Sequence, residues 1–217
     1  MTWIVRTFFS SIGKKVILAL TGLALCGFLI THLLGVLFTF AGQEILDGYA
    51  TLLEENILLI PAEIFLCSLF LIHIFLAIRV TLENRKSRPR GYGVRNDHGV
   101  KTGASSTMIY TGFAAMMFLF AHLAYLKFSA RIDDSLYLLM LKTFRESLIP
   151  VTIHVIAVFL LGYHLSHGIQ SAIRTLGLNH PRFNFFVRLV GYGFGCFVAV
   201  GFSSVPVYLH FFQGGAQ

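Results

Sequence analysis

Four histidines in this 217-residue chain stand where histidine is costly, inside long apolar stretches. His164 lies in the run Tyr163-His164-Leu165-Ser166-His167-Gly168 within the apolar segment Val151 to Leu176. His32, His73 and His122 each sit about two-thirds of the way along an apolar segment of their own. An ionisable side chain deep in a membrane span points to a functional site unless it is a hydrogen-bonded packing residue. The chemistry open to four imidazoles on four spans is axial ligation of two haem irons, two ligands to each. A bare zinc or copper ion would want three or four ligands in one layer, often with Cys or carboxylate. The spacing supplies no such layer. Cys26, Cys67 and Cys196 fall one per apolar segment, against a disulfide framework or a Cys-x-x-Cys site. No Cys-x-x-Cys-His occurs, so haem here would be held non-covalently.

The elements that must position these residues follow from composition. The chain is 56% hydrophobic and 12% charged, with a mean hydropathy of +0.75. Soluble domains carry about a quarter charged residues, so this is a multi-pass membrane protein by composition. A span takes roughly 20 apolar residues, and the chain supplies five such stretches, about 16–40, 57–80, 106–127, 150–176 and 185–208. The first is too long for a signal-peptide core and lacks a small-residue cleavage site, so it is expected to be retained. The expected fold is an all-α five-helix bundle forming one domain over residues 1–217, without an internal repeat. The net charge of +7 is not a nucleic-acid signal. Basic residues gather at Arg6, Lys14 and Lys15, from Arg79 to Lys101, and at Arg174, Arg182 and Arg188. These are the N-terminus and every second loop, which the positive-inside rule assigns to the cytoplasm. The C-terminus is then expected outside. The basic face could also dock a cytoplasmic partner or anionic lipid headgroups.

Between the spans, Trp3, Phe8 and Phe9 beside Arg6, Lys14 and Lys15 read as an interfacial lead-in. Ala41–Asn56 reads as a short acidic segment, and Phe128–Ser147 as a short amphipathic helix lying on the outer surface. Pro150 opens the fourth span, Gly177, Asn179 and Pro181 terminate it, and Pro206 bends the fifth.

Helical rise turns position into depth, at about 1.5 Å per residue. His32 and His122 lie nearer the outer face, and His73 and His164 nearer the inner face. The expected pairs are an outer one, His32 with His122, and an inner one, His73 with His164. Their layers should lie roughly 10–15 Å apart. Gly35 and Gly168 would make room for a flat ring. His167, three residues after His164, is the rival for the inner iron, or a propionate contact. His154 and His210 read as interfacial or hydrogen-bonded. Arg79 and Arg174 end the helices that carry the inner ligands and could meet propionates, or serve only as positive-inside anchors. Ser68, Thr31 and Tyr163 are further polar candidates. For proton exchange with a quinone head group, Glu54, Glu55, Glu63 and His154 qualify by depth. Glu63 stands out because it lies within the span, whereas Glu54 and Glu55 suit plain loop or helix-start carboxylates.

With those residues in view, nearly the whole chain resembles the cytochrome b558 membrane anchor of succinate dehydrogenase and fumarate reductase complexes, of the single-subunit, five-helix, two-haem kind. The resemblance is carried by Ser11-Ile12-Gly13-Lys14-Lys15, Thr21-Gly22-Leu23 and His32-Leu33-Leu34-Gly35. It is carried most of all by Tyr163-His164-Leu165-Ser166-His167-Gly168, Ser171-Ala172 and Thr175-Leu176-Gly177-Leu178-Asn179-His180-Pro181. It implies two haem b groups with His32, His73, His122 and His164 as ligands. Glycine four residues after the fourth-span ligand favours His164 over His167. It also implies a flavoprotein and an iron–sulfur subunit on the cytoplasmic face of a bacterial-type inner membrane, and menaquinone near the outer haem. Val36 stands where such proteins often have Asn. Gly162 stands where some fumarate reductases have a proton-transferring glutamate, which puts that route in question. The alternatives are a dihaem cytochrome b of nitrate reductase or hydrogenase type, or a transporter or structural membrane protein with packing histidines.

Overall fold

The computed structural model describes residue 6, residues 10–86 and residues 103–213, with only the backbone of 103–106. The aromatic lead-in Trp3, Phe8 and Phe9 and the basic stretch 87–102 lie outside the described residues. The fold is all-α, as its composition requires. Helix α1 spans Ser11–Leu37 and ends in a 3-10 turn, Phe38–Ala41; α2 spans Gln43–Glu54 and α3 Leu59–Lys86. Helix α4 spans Gly103–His122 and continues into a π turn, Leu123–Lys127. Then come α5 (Leu136–Arg145), α6 (Leu148–Thr175), a 3-10 turn at Pro181–Phe183, and α7 (Asn184–Phe211). Five stretches, built on α1, α3, α4, α6 and α7, are long and apolar enough to cross a membrane. In hydrocarbon every backbone amide must bond within its own segment, which is why such stretches are helices.

The spans run past their apolar limits because their polar ends are satisfied. Ser10 accepts from the Gly13 N–H at 3.0 Å and starts α1 five residues earlier than hydropathy suggests. Lys14 pairs with Glu83, tying the first turn of α1 to the last turns of α3. Ser147 caps α6. Gly177 closes it at φ +104°, with Leu178 N–H donating to Ile173 O at 3.2 Å and Gly177 N–H to Arg174 O at 3.1 Å. That double return is a Schellman stop, and it needs the left-handed conformation that glycine adopts without penalty.

Spans consecutive in the chain are antiparallel. Helix α3 packs on α1, α4 packs on α6, and α1 lies against α6. Helix α4 meets α3 more lightly, with Lys127 of the π turn 2.5 Å from Glu63. Thus α1, α3, α4 and α6 form a four-sided bundle, and α7 seals the side made by α6 and α1. The α6–α7 contact is the tightest. A Cβ on Gly162 would lie 2.5 Å from the Gly195 carbonyl oxygen, and one on Gly191 would strike the Ser166 carbonyl. Small residues let two backbones meet this closely, where dispersion and weak polar contacts supply the attraction that hydrophobicity cannot.

At the end opposite Ser11, α2 and α5 form a cap. The short helix expected within Phe128–Ser147 is α5, and its apolar face packs on the end of the bundle. Tyr137, Met140 and Phe144 are buried in one cluster with Leu46, Val151, Val205 and Leu209. The acidic segment Ala41–Asn56 is likewise mostly helix. Asp47 of α2 joins the two, accepting from Ser135 Oγ at 2.6 Å and from Tyr137 N–H at 3.0 Å.

Two changes test this packing by thermal unfolding in detergent. Gly195→Leu should cost about 1–3 kcal/mol or more, the range for forcing bulk into a packed contact. Asp47→Ala strands a hydroxyl and a backbone N–H and should cost about 1–3 kcal/mol, with the loss confined to the α2–α5 cap. A midpoint unchanged in either variant would show that the contact carries no stability.

Candidate functional site: two layers of histidine

The histidines gather in two layers on the four-sided bundle. In the first, His73 of α3 sits on α1 and His164 of α6 sits on α4, through the same pair of residues. Thr21 Oγ1 lies 3.3 Å from His73 Nδ1, and Thr111 Oγ1 lies 3.2 Å from His164 Nδ1. The glycine after each threonine provides the seat. A Cβ at Gly22 would be 3.1 Å from His73 Cε1, and one at Gly112 would be 3.1 Å from His164 Cε1. Both rings are half-buried.

The second layer lies eleven residues farther along both α1 and α4, about 16 Å by helical rise. There the rings of His32 and His122 approach edge to face, with centroids 5.9 Å apart. His32 stacks on Phe28 at 5.4 Å and meets Phe202 of α7 at 5.4 Å. His154 of α6 joins them, 6.3 Å from His122 and packed edge-on against Phe118 and Phe144. This layer is an aromatic box, with no threonine in the place that Thr21 and Thr111 take in the first. His122 Nδ1 is buried with no hydrogen-bond partner. The helix changes its winding directly after His122, where Phe128 N–H returns to Leu123 O at 2.9 Å. A π turn of this kind re-aims the side chains on either side of it.

The helices that carry each pair are diagonal in the bundle: α1 with α4 for His32 and His122, and α3 with α6 for His73 and His164. The other candidates separate. His167 is half-buried one turn beyond His164, while the Thr111–Gly112 seat belongs to His164. Arg174 has its Nε buried without a hydrogen-bond partner. Arg79 is exposed and faces Glu83 at 3.6 Å on its own helix. Glu63 is paired with Lys127, and Glu54 with Arg131. Glu63 and His154 therefore have separate partners. His210 Nδ1 donates to the Phe144 carbonyl at 2.7 Å. The Thr31 and Ser68 hydroxyls bond carbonyls of their own helices, and the Tyr163 ring is exposed.

One expectation about glycine is corrected. Gly35 is filled by a neighbour, since a Cβ there would be 2.7 Å from the ring of Tyr49. It seats α2 and leaves no room for a cofactor. Gly168 does face open space, with nothing within 4 Å of a Cβ.

Thr111 and Gly112 carry a signal in the sequence that their apolar context masks. The segments Thr21–His32 and Thr111–His122 read TGLALCGFLITH and TGFAAMMFLFAH, identical at six of twelve positions. The expectation of no internal repeat is therefore corrected for α1 and α4. Hydropathy hides this repeat because the unmatched positions are all apolar or small.

The residues fit haem. Each layer holds at least two imidazoles, a buried guanidinium N–H lacks an acceptor where a propionate could serve, and Gly168 leaves a face without a side chain. Among the described residues no group of three or more His, Cys, Asp or Glu could hold a bare metal ion. Neither a protein-family model, nor a curated protein, nor a solved structure matches the chain.

Proposed function

We propose that this chain is a dihaem cytochrome b anchor of a succinate:quinone oxidoreductase, carrying electrons between an iron–sulfur subunit and membrane quinone. The observation that carries the reading is the two-layer arrangement of His32 with His122 and His73 with His164 on diagonal helices. Haem b bound in the two layers would supply one-electron chemistry that the side chains lack. The chain's own part is to hold each iron from two sides, exclude water with apolar walls, and set potential through the contacts of the ligands. In this reading Ser11 begins on the cytoplasmic side of a bacterial-type inner membrane, where the flavoprotein and iron–sulfur subunits dock. His73 and His164 form the inner site and His32 and His122 the outer one.

Arg174 is assigned to an inner propionate, because its Nε is buried without an acceptor. Arg79 is assigned to anchoring, because Glu83 and solvent already satisfy it. His164 is assigned the iron and His167 a supporting place one turn beyond it. At the outer end His154, packed against His122, is the group best placed to exchange a proton with quinone, menaquinone by resemblance. Glu63, paired with Lys127 near the start of α3, is the carboxylate that could act with it. No dicarboxylate or flavin site is identified in the sequence, so succinate chemistry belongs to the partner subunits.

A reduced-minus-oxidised optical spectrum of the purified chain tests the reading. Two b-type haems per chain are expected, and absence of an α-band in the b-type region overturns the proposal. His164→Ala should lose one haem and His167→Ala neither; the reverse result moves the ligand to His167. Glu63→Gln should slow quinone turnover of the whole complex several-fold at unchanged haem content, and full turnover would remove Glu63 from the site.

A further inference from the structure

The Thr–Gly pairs do more than seat two rings. Each threonine hydroxyl has one hydrogen, and each lies against carbonyl oxygens of its own helix. Thr21 Oγ1 is 2.9 Å from Ile17 O and 3.1 Å from Leu18 O; Thr111 Oγ1 is 3.2 Å from both Thr107 O and Met108 O. Carbonyls only accept, so the hydroxyl hydrogen is directed at them and the oxygen lone pair is left for the histidine. Each Nδ1 thus faces an oxygen whose own hydrogen is already committed to its helix. Two lone pairs facing one another would repel, so Nδ1 carries the proton and Nε2 keeps its lone pair.

We propose that Thr21 and Thr111 are matched positioning residues, one in each copy of the Thr-Gly…His repeat, that fix His73 and His164 as Nδ1–H tautomers with Nε2 ready to ligate. The inference rests on the haem reading above. It assigns the two threonines to one site, although they lie on different helices and outside the ligand set. It also separates the layers: His73 and His164 are oriented before a ligand arrives, whereas His122 Nδ1 has no such partner. A ligating imidazole that donates its second N–H is the more basic donor and favours the ferric state. Loss of that bond therefore raises the potential of the iron it ligates.

The test is Thr21→Val and Thr111→Val, each compared with Thr→Ser at the same position. The readouts are redox titration of both haem bands and low-temperature electron paramagnetic resonance of the ferric signals. Both valine chains should shift the same one of the two haems to higher potential, alter its ferric signal, and weaken its retention about 10–100-fold, the range for losing an outer-shell partner. The serine chains, which keep the hydroxyl, should match the wild type. If a valine chain does not accumulate, Thr→Ala at that position gives the same reading without β-branching. Two unchanged haems overturn the proposal, as does a shift of one haem by Thr21→Val and of the other by Thr111→Val. A wild-type chain without any b-type haem overturns the functional reading itself, which keeps the two failures distinct.

Discussion

The bundle depends on how closely α6 and α7 approach. At Gly162, Gly195 and Gly191 the two backbones meet where no Cβ fits, and carbonyl oxygens of each helix lie against the glycines of the other. In a bilayer, apolar side chains gain little by leaving lipid for one another, so helix association relies on packing of this kind. Helix α6 carries His154, His164 and Arg174, and α7 presses Phe202 against His32. The contact therefore sets one wall for both layers. It also accounts for Gly162, two residues before His164. Any larger side chain there would have to fit where the Gly195 carbonyl already stands.

Around that wall the structure is two similar halves. The pair α1–α3 presents Thr21, Gly22, His32 and His73, and the pair α4–α6 presents Thr111, Gly112, His122 and His164. Each half contributes one of the four paired histidines from its first helix and one from its second, eleven residues separating the threonine level from the first-helix histidine in both. Joining two such halves brings like histidines together across the diagonals. The halves differ where they meet other elements. Helix α3 has only Leu76 buried and presents Ile64, Phe65, Leu71 and Phe75 outwards, whereas α6 is buried along the face that receives α7. Symmetry of the site thus coexists with asymmetry of the packing.

Outside the spans, charge and hydrogen bonding hold the ends. Lys14 with Glu83 and Lys127 with Glu63 link helix ends across the bundle, and Asp47 ties α2 to the start of α5. The exposed Lys127–Glu63 pair contributes little, about 1 kcal/mol or less. Asp47 contributes more because its oxygens satisfy a buried serine hydroxyl and a backbone N–H. These contacts explain why α5 folds onto the protein. Its apolar residues Tyr137, Met140 and Phe144 meet Val205 and Leu209 of α7.

By itself the sequence determined the all-α class, the number of spans and the approximate depth of each histidine. Those quantities depend on hydrophobicity and on a constant rise per residue, which are local properties. The stop at Gly177 and the first turn at Pro150 were legible for the same reason. Which side chain would meet which was not. That Gly35 receives Tyr49, that Glu63 meets Lys127, and that Thr111 meets His164 are facts about helices distant in the chain. Nothing in an apolar run records the rotation of one helix against the next. The repeat of Thr-Gly…His was written in the sequence, yet it became visible only when His73 and His164 were seen in identical seats. Tertiary structure decided the meaning of those residues, because a threonine hydroxyl in a span bonds its own helix by default. Only a neighbour brought within about 3 Å gives its remaining lone pair a function.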